Sequence, residues 1–257
     1  MAEVVIVESA EEAGELASDA IAALIAGKPD AVLGLATGSS PLAAYAALAR
    51  RKLDLSKVRG FALDEYVGLN TAHPQSYRSV IARGVVEPLG LTPSLVRVPG
   101  DDGGSLQGAG ERYERDIGAA GGIDLQVLGI GRTGHIGFNE PGSSFASSTR
   151  VKTLTRETRQ DNSRFFGSID EVPTHCLTQG IGTILHARHL VLFAFGKVKA
   201  RAIAAAVEGP LTASLPGSAI QLHPHVTVFV DEQAASELAN SEYYRRAFHQ
   251  RLEWERI

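Results

Sequence analysis

Only one cysteine, Cys176, is found in 257 residues. That excludes an internal disulfide framework and a cysteine-rich metal site. Long apolar runs are also missing, and none reaches the ~18 residues that suggest a membrane-crossing helix. The N-terminus has no basic region leading into a hydrophobic stretch, so no signal peptide is expected and the chain reads as cytoplasmic. Neither sign of charge dominates: 25 Lys and Arg stand against 29 Asp and Glu, a net charge of −4. This argues against general binding to nucleic acid or to an anionic membrane, and any anion site must be local. No G-x-G-x-x-G joins the first strand to the first helix, so NAD is not expected. The eight histidines are scattered, and His223-Pro224-His225 is too short a cluster to specify a metal site.

What is present is an alternation. Short apolar runs at 4–7, 31–36, 58–63, 95–98, 123–130, 189–195 and 226–230 have strand length. Residues 150–155 alternate like a strand with basic residues on one face. Helical spacing fills most gaps. Ser9 and Glu12 form a capping-box pattern ahead of Ala13, Leu16, Ala17, Ala20, Ile21 and Leu24. Further helices are expected over 41–48, 75–85, 106–117, 178–185 and 197–209, and after Asp231-Glu232. In the tail, Tyr244, Phe248 and Leu252 recur at a spacing that suits a docking helix face. Apolar residues make up 44% of the chain, enough for a sizeable core. The pattern predicts an α/β fold: a single-domain, doubly wound, mostly parallel sheet with helices on both faces, Rossmann-like. There is no repeat, low-complexity tract or linker, so residues 1–257 read as one domain.

Three strand ends carry chemistry. After the run at 123–130 comes a loop with glycines at 129, 131, 134 and 137, and with His135 and Glu140 five residues apart. It suits the wrapping of a small ligand, and equally a tight turn with an ordinary histidine. After 31–36 comes Thr37-Gly38-Ser39-Ser40-Pro41, with Ser40 as the expected N-cap and Pro41 as the first helical residue. A helix N-terminus with small hydroxyls can cradle a phosphate, although a simple capped turn looks the same and no Gly-Lys-Ser/Thr makes it a P-loop. After 58–63 come Asp64 and Glu65, where a partly desolvated carboxylate can act as a general base, or where one acid can cap the next element. Lys199, at a later strand-to-helix turn, fits either an anion site or the surface.

These residues sit in strings that resemble glucosamine-6-phosphate deaminases. The strings are Leu63-Asp64-Glu65-Tyr66-Val67-Gly68-Leu69, His73-Pro74-Gln75-Ser76-Tyr77 and Gly134-His135-Ile136-Gly137-Phe138-Asn139-Glu140-Pro141-Gly142-Ser143-Ser144. Thr37 to Pro41, Thr153-Leu154-Thr155, Asn162-Ser163-Arg164-Phe165-Phe166, Leu177-Thr178 and Gly182-Thr183 resemble the same family, in order along nearly the whole chain. The related 6-phosphogluconolactonases share the glycine-rich turn and Gly-His, but not the Phe-Asn-Glu-Pro continuation.

The resemblance implies conversion of D-glucosamine 6-phosphate and water to D-fructose 6-phosphate and ammonia, with no metal or organic cofactor. It implies Asp64 as the base between C2 and C1, with Glu65 beside it. His135 would open the pyranose ring, and Glu140 would be its carboxylate partner. Thr37, Gly38, Ser39, Ser40, Arg164 and Lys199 would hold the phosphate. Some hexameric members take N-acetylglucosamine 6-phosphate as an activator, and Ser143, Arg150 and Lys152 match those effector positions. Monomeric members also occur, so either state is compatible. One position departs from the pattern: Thr133 stands where the family has an aspartate two residues before the histidine. Threonine hydrogen-bonds without charge, so Glu140 would be the only carboxylate serving His135. The alternatives are a lactonase-like hydrolase, or a diverged aminosugar-phosphate isomerase or sensor.

Overall fold

The computed structural model describes residues 2–252; Met1 and residues 253–257, the ends of the span read as one domain, lie outside the described residues. The strands are β1 (Glu3–Val7), β2 (Val32–Leu35), β3 (Arg59–Ala62), β4 (Asp64–Tyr66), β5 (Val96–Arg97), β6 (Leu125–Gly129), β7 (Arg150–Thr153), β8 (His175–Thr178), β9 (His189–Ala194) and β10 (Val226–Asp231). The helices are α1 (Ala10–Gly27), α2 (Leu42–Arg50), α3 (Tyr77–Ile81), α4 (Glu87–Leu89), α5 (Ala109–Ala119), α6 (Arg156–Asn162), α7 (Ile181–Leu185), α8 (Ala200–Val207) and α9 (Ser241–His249). A π-helical turn, Ala82–Val86, joins α3 to α4.

Seven strands form one sheet in the order β1-β10-β9-β6-β2-β3-β5, and every neighbouring pair is parallel. The strands are apolar on both faces because both faces are covered: β2 and β9 are buried throughout. From β2 the chain runs outward to β3 and β5. It then returns to β6, on the other side of β2, and continues through β9 to β10. The order therefore reverses between β2 and β6. In an open parallel sheet this reversal leaves a crevice beyond the carboxyl ends of the two strands. Residues 36–41 and 130–140 emerge there. At the opposite end Asp124 accepts from Lys28 Nζ at 2.7 Å, Arg188 Nη1 at 2.8 Å and the Val32 amide at 2.8 Å, which pins β2 to β6.

A second, antiparallel sheet has the order β4-β8-β7 and pairs Asp64 with Thr178. Asp64 and Glu65 are therefore not the frayed end of the third strand. Leu63 alone separates β3 from a new strand in a different sheet. Tyr66, Phe138, Leu154, Val172 and Cys176 form a small core for this second layer.

Several expected elements differ. Half of the capping box at Ser9 forms: Ser9 Oγ accepts from the Glu12 amide at 3.1 Å, while Glu12 Oε2 reaches one residue further back and accepts from Glu8 N at 2.8 Å. At α2 the N-cap is Pro41 in helical conformation rather than Ser40, because the turn before it is already coiled and Ser39 O takes the Leu42 amide at 3.4 Å. No helix starts at Asp231. Its carboxylate accepts from Gly196 N at 3.0 Å and Ala234 N at 2.7 Å, and Glu208 takes the Ala239 and Asn240 amides, so the segment closes as turns. The expected 178–185 helix splits into the end of β8 and α7. In α9, Tyr244 is buried and Phe248 packs on the core, whereas Leu252 lies beyond the helix and is half exposed.

Helix α5 lies against the strand that carries the second sheet's outer edge. A Cβ on Gly110 would stand 2.0 Å from Thr149 O, while one on Gly118 of the same helix meets nothing within 4 Å. Gly110→Ala should therefore lower unfolding free energy by roughly 1–3 kcal/mol, as overpacking does. Gly118→Ala should leave it unchanged or raise it by about 0.5–1 kcal/mol. Urea melts of the two variants check this, and equal effects would contradict the packing described.

Candidate active site

The crevice at the reversal holds a cavity of about 780 Å³. Thr37, Gly38, Ser39 and Ser40 line one side, and Gly129, Ile130, Gly131, Arg132, His135, Gly137 and Phe138 with Asp64 line another. Arg164, on the 3-10 turn after α6, and Lys199, just before α8, complete it. All six phosphate-site residues expected from the sequence thus face one space, as do Asp64 and His135.

Asp64 is only 5% exposed. Burial, and then the charge of Glu65, push its carboxyl up to about 8, while the Phe138 amide works against the rise. That amide also donates to Thr178 Oγ1 at 3.1 Å. The dry wall is aromatic: Tyr66, Tyr77 and Phe138 stand with ring centroids 4.9–5.7 Å apart. Glu65 is not turned to the cavity. Its oxygens accept from the amides of Tyr66 at 2.7 Å, Tyr77 at 2.9 Å and Arg78 at 2.9 Å, so it caps the start of α3 and acts on Asp64 only through charge. A carboxyl poised near neutral pH can both take and return a proton.

The loop after β6 folds so tightly that the His135 ring lies over Gly131, where a Cβ would stand 2.2 Å from the imidazole. His135 Nδ1 is 2.8 Å from Thr133 Oγ1 and 3.6 Å from Glu140 Oε2. The first is a hydrogen bond, and the second is a charge contact beyond that length. Glu140 is buried, and its Oε1 accepts from Thr155 N at 3.2 Å and Thr155 Oγ1 at 3.1 Å. Its Oε2 has no hydrogen-bond partner and faces the imidazole. Burial alone would raise Glu140, but His135, Thr158 and the Thr155 amide outweigh it and hold the carboxyl down at about 2. Thr133 can serve either neutral tautomer, because a hydroxyl both donates and accepts, whereas Glu140 can accept only from a protonated Nδ1.

Lys199 Nζ donates to Ile130 O at 2.7 Å. Burial lowers its affinity for the proton, Asp161 raises it, and Arg164 and Arg132 lower it further, so these charges sense one another. The Arg164 guanidinium lies 4.6 Å from the Phe165 ring centroid. Ser143, Arg150 and Lys152 do not line the cavity. Ser143 Oγ is buried and donates to Glu140 O at 2.7 Å, while Arg150 and Lys152 lie two apart on β7. Among the described residues no group of three or more His, Cys, Asp or Glu is placed to hold a metal.

Sequence reasoning passed over the aromatic wall, Thr158 and Arg132, all of which line the cavity. Tyr66, Tyr77 and Phe138 were visible only as members of the family strings, and Arg132 only as a cation inside a glycine loop.

The family model for glucosamine-6-phosphate isomerases/6-phosphogluconolactonase matches residues 7–229. The chain belongs to that family. It is 59% identical to a glucosamine-6-phosphate deaminase of Bifidobacterium longum subsp. infantis, with both chains covered completely. The solved structure of a monomeric glucosamine-6-phosphate deaminase superposes with a TM-score of 0.88 at 42% identity, covering 91% of this chain and 99% of that one. A 6-phosphogluconolactonase from Leishmania guyanensis has a TM-score of 0.72 at 23% identity, covering 91% and 98%, a likeness of fold.

An aspartate in place of Thr133 would favour the imidazolium and fix the proton on Nδ1. The His135 ring nitrogen resonances, followed by NMR, should therefore show the proton fixed on Nδ1 in Thr133→Asp, which the native threonine does not impose. Identical ring nitrogen resonances in the two proteins would contradict an electrostatic role for this position.

Proposed function

We propose that the chain is a glucosamine-6-phosphate deaminase, converting D-glucosamine 6-phosphate and water to D-fructose 6-phosphate and ammonia. The observation that carries this reading is the near-neutral Asp64 carboxyl, set in one cavity with His135 and the Arg164–Lys199 anion end. The phosphate would rest on Thr37 to Ser40, with Arg164 and Lys199 neutralising its charge. His135, steadied by Thr133 and Glu140, would protonate the ring oxygen as the anomeric hydroxyl loses its proton, which opens the pyranose. Asp64 would then take the C2 proton, giving an enolamine across C1 and C2, and return a proton to C1. The imine left at C2 adds water and releases ammonia, so the overall change is both an isomerisation and a hydrolysis.

We further read residues 1–257 as one working domain, acting in the cytoplasm on sugars derived from N-acetylglucosamine. The absence of any helix long and apolar enough to cross a membrane, among the described residues, is compatible with that setting. An effector site at Ser143, Arg150 and Lys152 is supported by the two cations on β7, and it is weakened by the commitment of the Ser143 hydroxyl to Glu140 O.

The test follows ammonia and fructose 6-phosphate together from glucosamine 6-phosphate, with 6-phosphogluconolactone as a parallel substrate. Both products should form in equal amounts and disappear in Asp64→Asn. Lactone hydrolysis without ammonia would replace the deaminase reading. Addition of N-acetylglucosamine 6-phosphate to the same assay decides the effector site, which an unchanged hyperbolic rate curve would remove.

A further inference from the structure

Helix α6 has seven residues, and its last turn leads directly to Arg164. So short a helix has little stability of its own, and its position depends on what grips it. Glu140 holds its start through Thr155, the N-cap. Tyr66 holds its end, where Asn162 Nδ2 donates to the phenol oxygen at 2.9 Å. Between them stands Arg132, from the loop that carries His135. Arg132 forks onto Asp161, with Nε 2.9 Å from Oδ2 and Nη2 2.6 Å from Oδ1. Its Nη2 also lies 3.5 Å from Glu157 Oε1. Glu157 and Asp161 are four apart and share one face of the helix.

We propose that Arg132 is a positioning residue whose two-pronged grip on Asp161 sets α6 along the cavity wall and thereby places Arg164 at the phosphate end. The inference rests on the deaminase reading for its kinetic test. Planarity matters here, because a guanidinium matches a carboxylate edge in one orientation while an ammonium does not. Charge matters as well. Asp161 acts on Lys199, so an uncompensated Asp161 would oppose an incoming phosphate dianion, and the fork neutralises it. The two side chains are 46% and 37% exposed. Exposed ion pairs contribute little to folding, so the pair's effect falls on the placement of α6 and its variants should remain folded.

Arg132→Gln, Asp161→Asn, the double variant and the swapped pair Arg132→Asp with Asp161→Arg form the test set, with melting temperatures recorded for each. Each single change should raise KM for glucosamine 6-phosphate on the order of three- to tenfold, with kcat altered less than about twofold. The double variant should be no worse than either single, and the swapped pair should recover most of the loss. An unchanged or lowered KM in Asp161→Asn would overturn the proposal, since Arg132 would then act as a plain cation. Multiplying effects in the double variant would overturn it too. Calorimetric binding of inorganic phosphate needs no turnover and separates the two levels of the argument. Weaker phosphate binding in both singles, with a native protein that releases no ammonia, would support the positioning role and reject the deaminase. Unchanged phosphate binding in the singles would reject the positioning role, whatever the turnover.

Discussion

A carboxyl group held out of water at the seam between two sheets is the constraint around which the site is arranged. β3 ends at Ala62 and β4 begins at Asp64, so the chain changes sheet across Leu63 alone. Gln179 fastens the seam from the far side, its amide donating to Leu63 O at 2.7 Å and its Nε2 to Ala62 O at 3.1 Å. The aromatic wall then excludes water, and Glu65, held in place by three amides, adds a like charge. Each unit by which Asp64 rises is about 1.4 kcal/mol against its charged form. The native state binds this proton more tightly than the unfolded chain does. The group's contribution to stability is therefore fully present below about pH 4, the unfolded value. It is lost as pH rises through about 8, so at neutral pH Asp64 works against folding. A fold that keeps such a group has spent stability on reactivity.

The loop after β6 makes the second half of the site from consecutive residues with opposite tasks. Thr133 turns inward to His135, and Arg132 turns outward to α6. Glu140 joins the two: Oε1 caps the approach to α6 and Oε2 faces the imidazole. A shift of α6 would therefore be felt at His135 through one carboxylate, which links the Arg164–Lys199 end of the cavity mechanically to the His135 end. Thr133 relaxes this arrangement relative to an aspartate, since it supplies a hydrogen bond without fixing which nitrogen carries the proton.

The main sheet was legible because it is local in origin. Apolar runs of strand length, turn residues and helical spacing repeat along the chain, and the cradle at Thr37 to Ser40 and the glycine loop at 129–137 lie next to such runs. What escaped depends on partners far away in sequence. β4 is a strand only because β8 pairs with it from more than a hundred residues on. Glu65 was legible either as a reactive neighbour of Asp64 or as a cap, and only the amides twelve and thirteen residues away decide for the cap. Asp231 looked like a helix start and is instead bound to Gly196 across the sheet. Tyr66, Tyr77 and Phe138 stand inside the family strings, yet their role as a wall was not legible, since tyrosine and phenylalanine fill a core as readily as they dry a cavity.

Infrared titration of the Asp64 carboxyl, isolated as the difference between the native protein and Asp64→Asn, tests the central claim most directly. The account predicts a protonated-carboxyl band that persists into neutral pH and disappears with a midpoint near 8. A band already lost near the ordinary aspartate value of about 4 would mean that burial and Glu65 do not hold the proton, and Asp64 would be an ordinary weak carboxylate base rather than a group poised to take the C2 proton and return it to C1.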